Sequence, residues 1–392
     1  MTRAGRKVAG LVILSYLPYP SRCGLSRRID GIKEVLETFL DKIVVICPSF
    51  GSPIREDPRI DLIKIPVSLD GGSIASRFLV LLLYSLLGLA KTVRYAASGY
   101  LIQYESIFSA LPALLTKVFL RKTVIGDDLS LLYTRSSFLS SILYMAEAVS
   151  AKSTDHCITA STKALPFLKR FSKNPLYIQN GVKVSESGEE HMRDETTLLF
   201  VGALTFDQNR IAINKIFKIS SFLASIRPEA SIIVVGGPET LAAPLRNHEL
   251  AKAGRMRFLG EVSDDELKRI YSRAFIGLLP FFSDTPNRGG ARIKALEYFA
   301  HGLLVVSGTE GVVGIGGLRA GEHFLAAASV EEMCSILERC LTDPESYYTI
   351  ARAGKERVSV SCSWKTVTKD YVKLVKYLLE KSDLKIATWS TS

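Results

Sequence analysis

The chain has 392 residues, of which 47% are hydrophobic and 23% charged, and its formal net charge is +11. This length and composition exclude a disordered or collagen-like chain and predict two or three folded domains. The six cysteines form no C-x-x-C pair and no regular framework, which predicts buried thiols in a reducing compartment and hence a cytoplasmic protein.

The first half of the chain alternates predicted strands with predicted helices. Strands are predicted near residues 8–14, 43–47, 62–65, 100–103, 123–126 and 156–159. Helices are predicted near residues 24–40, 74–97, 106–120, 135–151 and 161–172. Such alternation predicts a parallel, doubly wound α/β sheet, and we assign residues 1–182 to one Rossmann-like domain. The apolar start, VAGLVIL at 8–14, is too short for a secretory signal and is interpreted as the first strand.

The turn after the first strand, PYPSRCGLSRRIDGI, places Gly24 ahead of a helix. Arg22, Arg27 and Arg28 lie in and after this turn. They are candidates for contact with an anionic acceptor, because guanidinium groups bind phosphates and carboxylates well. The alternative is that they are ordinary solvated charges on a helix surface.

A run of thirteen uncharged residues, FLVLLLYSLLGLA, extends from Phe78 to Ala90 between Arg77 and Lys91. A membrane span needs about 20 apolar residues, so this run is too short for one. We predict a helix of the protein core. Contact with one leaflet of a membrane is the alternative, and the cationic flanks support it.

Two adjacent carboxylates, Asp127 and Asp128, follow a predicted strand in the segment GDDLSLLY. In a doubly wound sheet the carboxyl ends of the strands are where ligands bind. Asp127 is therefore a candidate for contact with a substrate, and the alternative is an N-cap of the following helix. Glu105, at the end of another predicted strand, is a fainter candidate of the same kind.

Positive charge is concentrated in the first half of the chain. Residues 1–182 hold 23 Lys or Arg against 13 Asp or Glu, a net charge of +10, whereas residues 183–392 have a net charge of +1. This asymmetry indicates an anionic partner such as a phospholipid surface or a polyprenyl phosphate, unless the basic surface is merely solvated. Nucleic acid is not expected as a partner, because no zinc-finger spacing or aromatic RNA-binding strand occurs.

The polar stretch at 183–197, KVSESGEEHMRDETT, is interpreted as a linker between two domains. Residues 198–362 repeat the strand and helix alternation and form the second predicted domain. Two of its helices begin with capping boxes, one at Ser263 with Glu266 and one at Ser329 with Glu332. A final amphipathic helix is predicted near 364–380 within the terminal segment 363–392.

The most informative segment runs from Pro286 to Gly316 and reads PNRGGARIKALEYFAHGLLVVSGTEGVVGIG. A glycine pair precedes a helix that carries Arg292, Lys294 and Glu297, and a β-branched strand and a second glycine-rich turn follow. Backbone amides and cations at a helix N-terminus suit phosphates. A carboxylate further along the helix suits the hydroxyls of a ribose. Together these features predict a nucleotide-sugar site.

This segment resembles the donor-binding motif of GT-B glycosyltransferases of the large retaining family 4, glycosyl transferases group 1. The match reads LEYFAHGLLVVSG, and further matches are LFVGAL at 199–204, IIVVGGPE at 232–239 and MRFLGEVSDDELKRIYSRA at 256–274. The resemblance implies a GT-B fold, in which two Rossmann-like domains face a central cleft. It also implies that the C-terminal helix crosses back to the N-terminal domain.

The resemblance assigns the ribose hydroxyls to Glu297 and donor contacts to the backbone at Gly202, Gly289 and Gly290. Family members often carry a second glutamate where this chain has Gly289, so sugar recognition is expected to depend more on backbone amides. Asp127 takes the position of a family histidine that contacts the transferred sugar. Gly24, with Arg27 after it, stands where relatives have a glycine-rich loop near the phosphates and the acceptor.

The usual phosphate clamp of the family, an Arg and a Lys in the first turn of this domain, is replaced here by Ala203 and Asn209. We expect Arg292 and Lys294, helped by Arg210, to bind the diphosphate instead. No Asp-x-Asp and no Cys/His cluster occurs, so no metal ion and no other cofactor is expected. His301 is interpreted as a charge near the C-terminus of the motif helix.

The resemblance implies transfer of a hexose-type unit from a nucleoside diphosphate sugar to an acceptor hydroxyl, lipid-linked or on a glycan, with retention at the anomeric carbon. The cytoplasmic face of a membrane is then a plausible site of action. Two alternatives stay open. One is a non-catalytic accessory or scaffold protein, since the second glutamate and the usual clamp are missing, and the other is a nucleotide-sugar epimerase.

Overall fold

A computed structural model of the chain describes residues 10–19, 24–49, 60–67, 74–127, 138–184, 193–285 and 290–389. The chain forms two compact units. The first comprises Met1–Gln179 and Val367–Ser392, and the second comprises Asn180–Thr366. Each unit contains one parallel sheet flanked by helices, which confirms the predicted α/β fold class with two doubly wound sheets.

The first unit has a seven-stranded sheet in the order β3-β2-β1-β4-β5-β6-β7. Its strands are β1 Gly10–Ser15, β2 Lys42–Pro48, β3 Ile60–Ile65, β4 Leu101–Glu105, β5 Val124–Asp127, β6 His156–Thr159 and β7 Pro175–Tyr177. Its first five helices are α1 Gly24–Leu36, α2 Ile74–Ala97, α3 Ala110–Leu120, α4 Phe138–Ser153 and α5 Leu165–Phe171. The strand β7 was not predicted, since PLY is too short to show a period.

Both faces of this sheet are covered. The strand β1 reads GLVILS and is buried throughout, as expected of a parallel strand between two helical layers. Val12 and Leu14 belong to the core cluster that α2, α3 and α4 complete with residues such as Tyr84 and Ala113. The side chains of Gln103 and Asp127 lie on the other face, where they meet α1 and the C-terminal helix. Helices α2, α3 and α4 therefore form one layer on one face.

The predicted core helix over Phe78–Ala90 is buried in the core along one side only. It lies within α2, whose bounds match the prediction of 74–97. One side of α2 is buried, and Tyr84 donates hydrogen bonds to the carbonyl oxygens of Ser15 at 2.7 Å and Ile46 at 3.2 Å. The opposite side exposes five leucines. The preferred interpretation was wrong for that side, because a continuous apolar run does not show which side of the helix meets the sheet.

The second unit has a six-stranded sheet in the order β10-β9-β8-β11-β12-β13. Its strands are β8 Asp194–Val201, β9 Ser231–Val235, β10 Met256–Gly260, β11 Ala274–Leu279, β12 Leu304–Gly308 and β13 Leu325–Ala327. Its helices are α6 Asp207–Ile226, α7 Glu239–Ala242, α8 Glu249–Lys252, α9 Asp264–Arg273, α10 Ile293–Ala300, α11 Val330–Thr342, α12 Tyr348–Ser361 and α13 Trp364–Val367.

The predicted linker over 183–197 is too long at its C-terminal end. The strand β8 already begins at Asp194, where the carboxylate accepts hydrogen bonds from Thr196 and Thr197. Residues 185–192 of the predicted linker lie outside the described residues. The first residues of β8 are polar and not buried, and such residues look like a linker in sequence, which explains the misplaced boundary.

Both predicted N-cap serines are present, although among the described residues neither helix shows the reciprocal bond from the glutamate to the N-cap amide that completes a capping box. Ser263 Oγ accepts from the Glu266 amide at 3.1 Å, and Ser329 Oγ accepts from the Glu332 amide at 3.2 Å. The Glu332 carboxylate reaches back to the Ala328 amide at 2.7 Å. Helices α9 and α11 therefore start where the sequence predicts.

The last helix, α14, spans Lys369–Trp389 and belongs to the first unit. Tyr371, Val375 and Leu378 are buried. The Tyr371 hydroxyl donates a hydrogen bond to the Gln103 side chain on β4. The C-terminal helix thus returns to the N-terminal unit, as the GT-B resemblance implies.

Candidate functional site

The candidate site lies at the carboxyl ends of β8 and β11 in the second unit. The chain runs from β8 outward to β9 and β10 and then returns to β11 on the other side of β8. This reversal of strand order opens a crevice between two neighbouring strands, where open α/β sheets bind ligands. The helix α10 follows β11 and brings Arg292, its N-cap residue, and Lys294 to this edge.

Lys294 lies deep in this site. Its ammonium donates a hydrogen bond to Asn209 Oδ1 on α6 at 2.7 Å. It also lies 4.5 Å from the ring centroid of Phe200 and 5.1 Å from that of Phe281. Burial lowers the pKa of Lys294 well below its usual value, and the neighbouring Arg292 lowers it further.

Arg292 is the second cation. Its Nη1 donates to the Gln208 side chain at 3.0 Å and its Nε donates to the Glu310 carbonyl oxygen at 3.3 Å, while the guanidinium lies 4.0 Å from the Phe281 ring centroid. Its Nη2 is buried with no hydrogen-bond partner among the described residues. Burial lowers the pKa of Arg292 to about 10.

Within the described part of the chain, neither cation forms an ion pair with a carboxylate. Two like charges held together away from water destabilise a protein unless an anion compensates them. Arg292 presents a buried donor, and Lys294 lies beside it on the first turn of α10, where helix amides add partial positive charge. The arrangement suits a polyanion such as a diphosphate.

Gly202 permits the close approach of Lys294. A Cβ at this position would lie 2.5 Å from Lys294 Nζ and 2.8 Å from the Asn209 side chain. Gly236, after β9, has φ of 147°, and a Cβ there would lie 2.0 Å from the Gly202 carbonyl oxygen. The turns after β8 and β9 therefore pack backbone to backbone beside the cations.

We expect Gly202→Ala to weaken binding of an anionic ligand by about 10- to 150-fold, because the new methyl group displaces the Lys294 ammonium and one charge-assisted hydrogen bond contributes about 1.5–3 kcal/mol. Thermal stability should also fall, since the buried Asn209 side chain must shift as well. Calorimetric titration with a nucleoside diphosphate measures the effect. Gly316→Ala is the matched control, because a Cβ there meets nothing within 4 Å.

Glu297 lies one helical turn after Lys294 and is half-buried on α10. The Tyr271 hydroxyl from α9 donates to Glu297 Oε2 at 2.8 Å. The helix ends in a Schellman motif, in which the amides of Gly302 and Leu303 donate to the carbonyl oxygens of Phe299 and Tyr298. Glu297 is thus held on a short, well-terminated helix.

His301 does not carry the predicted helix-end charge. Its ring stacks on Tyr271 with centroids 4.4 Å apart, and its Nδ1 lies 2.8 Å from the Glu297 carbonyl oxygen. Burial lowers the pKa of His301, and the nearby Arg193 guanidinium lowers it further. The neutral imidazole therefore packs behind Glu297 instead of compensating the helix dipole.

The other predicted donor residues are less closely assembled. Arg210 forms an ion pair with Asp207 in the first turn of α6, and among the described residues it makes no hydrogen bond with Arg292 or Lys294. Its guanidinium also lies near the Leu204 carbonyl oxygen, at 3.4 Å. Gly290 is half-buried beside the turn that contains Gly314. Gly289 lies outside the described residues.

Asp127, the predicted sugar contact, is held in an ion pair. Its carboxylate is fully buried and accepts three hydrogen bonds from Arg28 on α1, at 2.8, 3.1 and 3.2 Å. Its role as a sugar contact stays a prediction. The alternative N-cap role concerns residues 128–137, which lie outside the described residues, and it stays a prediction. Asp128 lies outside the described residues.

Arg28 is not the ordinary solvated charge of the alternative interpretation, because it is buried in the ion pair with Asp127. Gly24 is exposed at the start of α1 and Arg27 is half-buried on the same helix. Their acceptor role stays a prediction. Arg22 lies outside the described residues.

Sequence reasoning missed the groups that hold the predicted residues in place. Asn209 had been noted only as a departure from the family clamp, yet it links Lys294 to the Ala203 carbonyl oxygen, to which its Nδ2 donates at 2.7 Å. Phe281 and Tyr271 gave no signal, because an aromatic residue at a strand end or in a helix usually belongs to the core. Among the described residues, no group of three or more His, Cys, Asp or Glu side chains is placed to hold a metal ion.

The whole fold is similar to known structures. Sucrose-phosphate synthase from Thermosynechococcus elongatus superposes with a TM-score of 0.72 at 19% identity, covering 98% of this chain and 100% of that chain. HepE from Anabaena, solved with UDP, gives 0.66 at 14% identity over 94% and 100%. Trehalose 6-phosphate synthase from Burkholderia multivorans gives 0.65 at 13% over 96% and 98%. The protein therefore has the GT-B fold.

Within this fold, residues 195–343 form a domain that matches the family model of Glycosyl transferases group 1. The match contains Gly202, Asn209, Arg292, Lys294 and Glu297, and so includes the cation pair and the turns beside it. A comparison with curated protein sequences gave no match.

Proposed function

We propose that the protein transfers a sugar from a nucleoside diphosphate sugar to an acceptor hydroxyl. The observation that carries the proposal is the cation pair Arg292 and Lys294, which is half-buried beside Glu297, forms no ion pair among the described residues, and lies inside the Glycosyl transferases group 1 domain. Structural neighbours solved with UDP and with UDP-glucose make uridine diphosphate sugars the first donors to test.

The two cations contribute most to catalysis while the bond between the sugar and the diphosphate breaks. Negative charge then develops on the leaving phosphate, and Arg292, Lys294 and the amides of the first turn of α10 are placed to stabilise it. Both cations are already desolvated and positioned by Asn209 and Gln208, so little reorganisation is needed. Glu297 accepts hydrogen bonds from the two ribose hydroxyls and fixes the nucleoside.

The finer features of the reaction rest on the family resemblance. We infer retention at the anomeric carbon, a hexose-type donor, a lipid-linked or glycan acceptor, and a reaction that needs no divalent metal. With Arg292 and Lys294 in the role that a metal ion serves elsewhere, transfer in excess EDTA should proceed at the same rate. A rate that returns only when Mg²⁺ or Mn²⁺ is restored would contradict the last of these inferences.

A thermal-shift screen with UDP-, GDP-, ADP- and dTDP-sugars, followed by turnover of the matching labelled donor, tests the proposal. A donor at 100 times its Kd should stabilise the protein by about 2.7 kcal/mol, and release of its nucleoside diphosphate should be lost in Glu297→Gln. If no donor binds, the protein is an accessory subunit. If the labelled sugar stays on the nucleotide in altered form, it is an epimerase.

Tyr271→Phe is expected to raise the KM for the donor about 3- to 10-fold with little change in kcat, because the lost hydroxyl leaves Glu297 without the hydrogen bond that orients it. The ring stays packed against Tyr298 and His301, so the fold should persist. Initial rates at varied donor concentration measure the effect. Tyr377→Phe, on the exposed side of α14, is the control. An equal fall in kcat and kcat/KM would contradict this positioning role.

A further inference from the structure

The layer formed by α2, α3 and α4 has an apolar outer surface. On α2, Leu79, Leu82, Leu83, Leu86 and Leu87 are between 41% and 56% exposed. Their spacing of three and four residues places them in one stripe along the helix, opposite the side that carries Tyr84. Such a stripe is unusual on a water-exposed helix, where charged residues normally occupy the outer face.

The two neighbouring helices extend the same surface. Val118 and Phe119 on α3 are 72% and 68% exposed, and Ile142, Met145 and Val149 on α4 are 48%, 61% and 59% exposed. The helices α2 and α3 pack side by side, and α4 lies next to α3. The apolar side chains therefore form one patch across three helices, which we call the three-helix patch. Exposed patches of this kind mark interaction surfaces.

The exposed charges that the described parts of these three helices and their C-caps carry are all positive. Lys91 and Arg94 are exposed in the last two turns of α2, Arg121 is exposed directly after α3, and Lys152 is exposed at the end of α4. The three helices contain a single acidic residue, Glu147, and it is buried. Since the three helices follow parallel strands, their C-termini lie along the same edge of the sheet, and the cations gather there.

We propose that the three-helix patch docks onto the surface of an anionic phospholipid membrane. The leucines and their neighbours enter the acyl boundary of one leaflet, and the cations at the helix C-termini contact the negatively charged headgroups. A second copy of this chain fits less well, because it would bring cations against cations and these helices offer no exposed carboxylate to pair with them.

The segment Leu79–Ala97 is long and apolar enough to cross a membrane by length and composition alone. Its contacts in the fold favour a position along the surface instead. The Tyr84 hydroxyl bonds to the carbonyl oxygens of Ser15 and Ile46, and Ala96 is fully buried in the core of the first unit. A spanning helix would remove this cover from β1 and β2, so α2 remains in its layer while its outer stripe meets the lipid.

Flotation of the full chain with vesicles tests the proposal. At low salt the protein should float with vesicles of phosphatidylcholine containing 30% phosphatidylglycerol. On the order of tenfold less protein should float with pure phosphatidylcholine, which lacks the anionic headgroups, or at 0.5 M salt, which shortens the Debye length and screens the attraction. The double variant Leu83→Glu with Phe119→Glu should lose flotation, and Lys91→Glu with Arg94→Glu should weaken it.

The matched control is Leu241→Glu with Val360→Glu, which adds the same charges at exposed apolar positions of the second unit and should float as the unaltered protein does. Circular dichroism and nucleotide binding check that each variant folds. Membrane docking is contradicted if the unaltered protein stays in the soluble fraction at low salt, or if the Leu83 and Phe119 variant floats normally. It is also contradicted if light scattering shows a dimer that this variant dissociates, since the patch would then be a contact between copies.

Discussion

Lys294→Met lowers kcat/KM for sugar transfer by about 10² to 10³, the loss expected when one preorganised group that stabilises transition-state charge is removed. Methionine keeps an unbranched apolar side chain against Phe200 and Phe281, so the change removes the ammonium and little of the packing. Stability of the free protein should not fall. Burial and Arg292 already depress the pKa of Lys294, which shows that its charged form is disfavoured in the fold.

Lost activity with retained stability would show that the Lys294 charge serves to bind the substrate. If Lys294 had a structural role instead, its substitution would lower the stability of the free protein. Initial rates with a labelled donor and thermal unfolding of the free protein measure the two effects. Lys268→Met is the control, because Lys268 is exposed on α9 of the same unit. If Lys294→Met transfers sugar at the rate of the control, the assignment of the diphosphate to this cation pair is wrong.

Arg28→Met destabilises the first unit by about 3–5 kcal/mol, because it leaves the Asp127 carboxylate buried without its guanidinium partner. The double variant Arg28→Met with Asp127→Leu should recover most of this loss, since two apolar groups replace a buried pair at little net cost. Amide hydrogen exchange on β4 and β5 measures the opening free energy of this unit alone, which avoids treating a chain of two units as a two-state system.

Equal exchange protection in Arg28→Met and in the unaltered protein would show that the ion pair adds nothing to stability. Arg94→Met, at an exposed position of the same unit, controls for the loss of one positive charge. A double variant that remains as unstable as the single one would show that other contacts of Asp127, such as the one from Gln103 Nε2 at 3.4 Å, depend on its charge. Either result would favour the ligand role that the sequence predicts for Asp127.

Local features of the fold were predictable because they depend on neighbours in sequence. The bounds of α2 match the prediction, since the sequence reads GGS before it and SGY after it. The caps at Ser263 and Ser329 were also predictable from a spacing of three residues. The last helix was predicted as one continuous helix, yet it is interrupted at the buried Thr368, between α13 and α14.

The missed features depend on residues that are distant in sequence. Arg28 and Asp127 are separated by 99 positions, and nothing in either segment indicates the other. The same holds for Lys294 and Asn209, which are 85 positions apart. The motif placed Arg292, Lys294 and Glu297 on one short helix, as the structure shows, but only the sheet topology brings Asn209 and Phe200 against them.

The most direct test of the nucleotide-sugar site is a crystal structure of the protein with UDP-glucose or the donor selected by the thermal-shift screen. We expect the diphosphate within hydrogen-bond distance of Arg292 Nη2 and Lys294 Nζ, and the ribose hydroxyls on the Glu297 carboxylate. A donor bound elsewhere in the chain, with Arg292 and Lys294 untouched, would contradict the account.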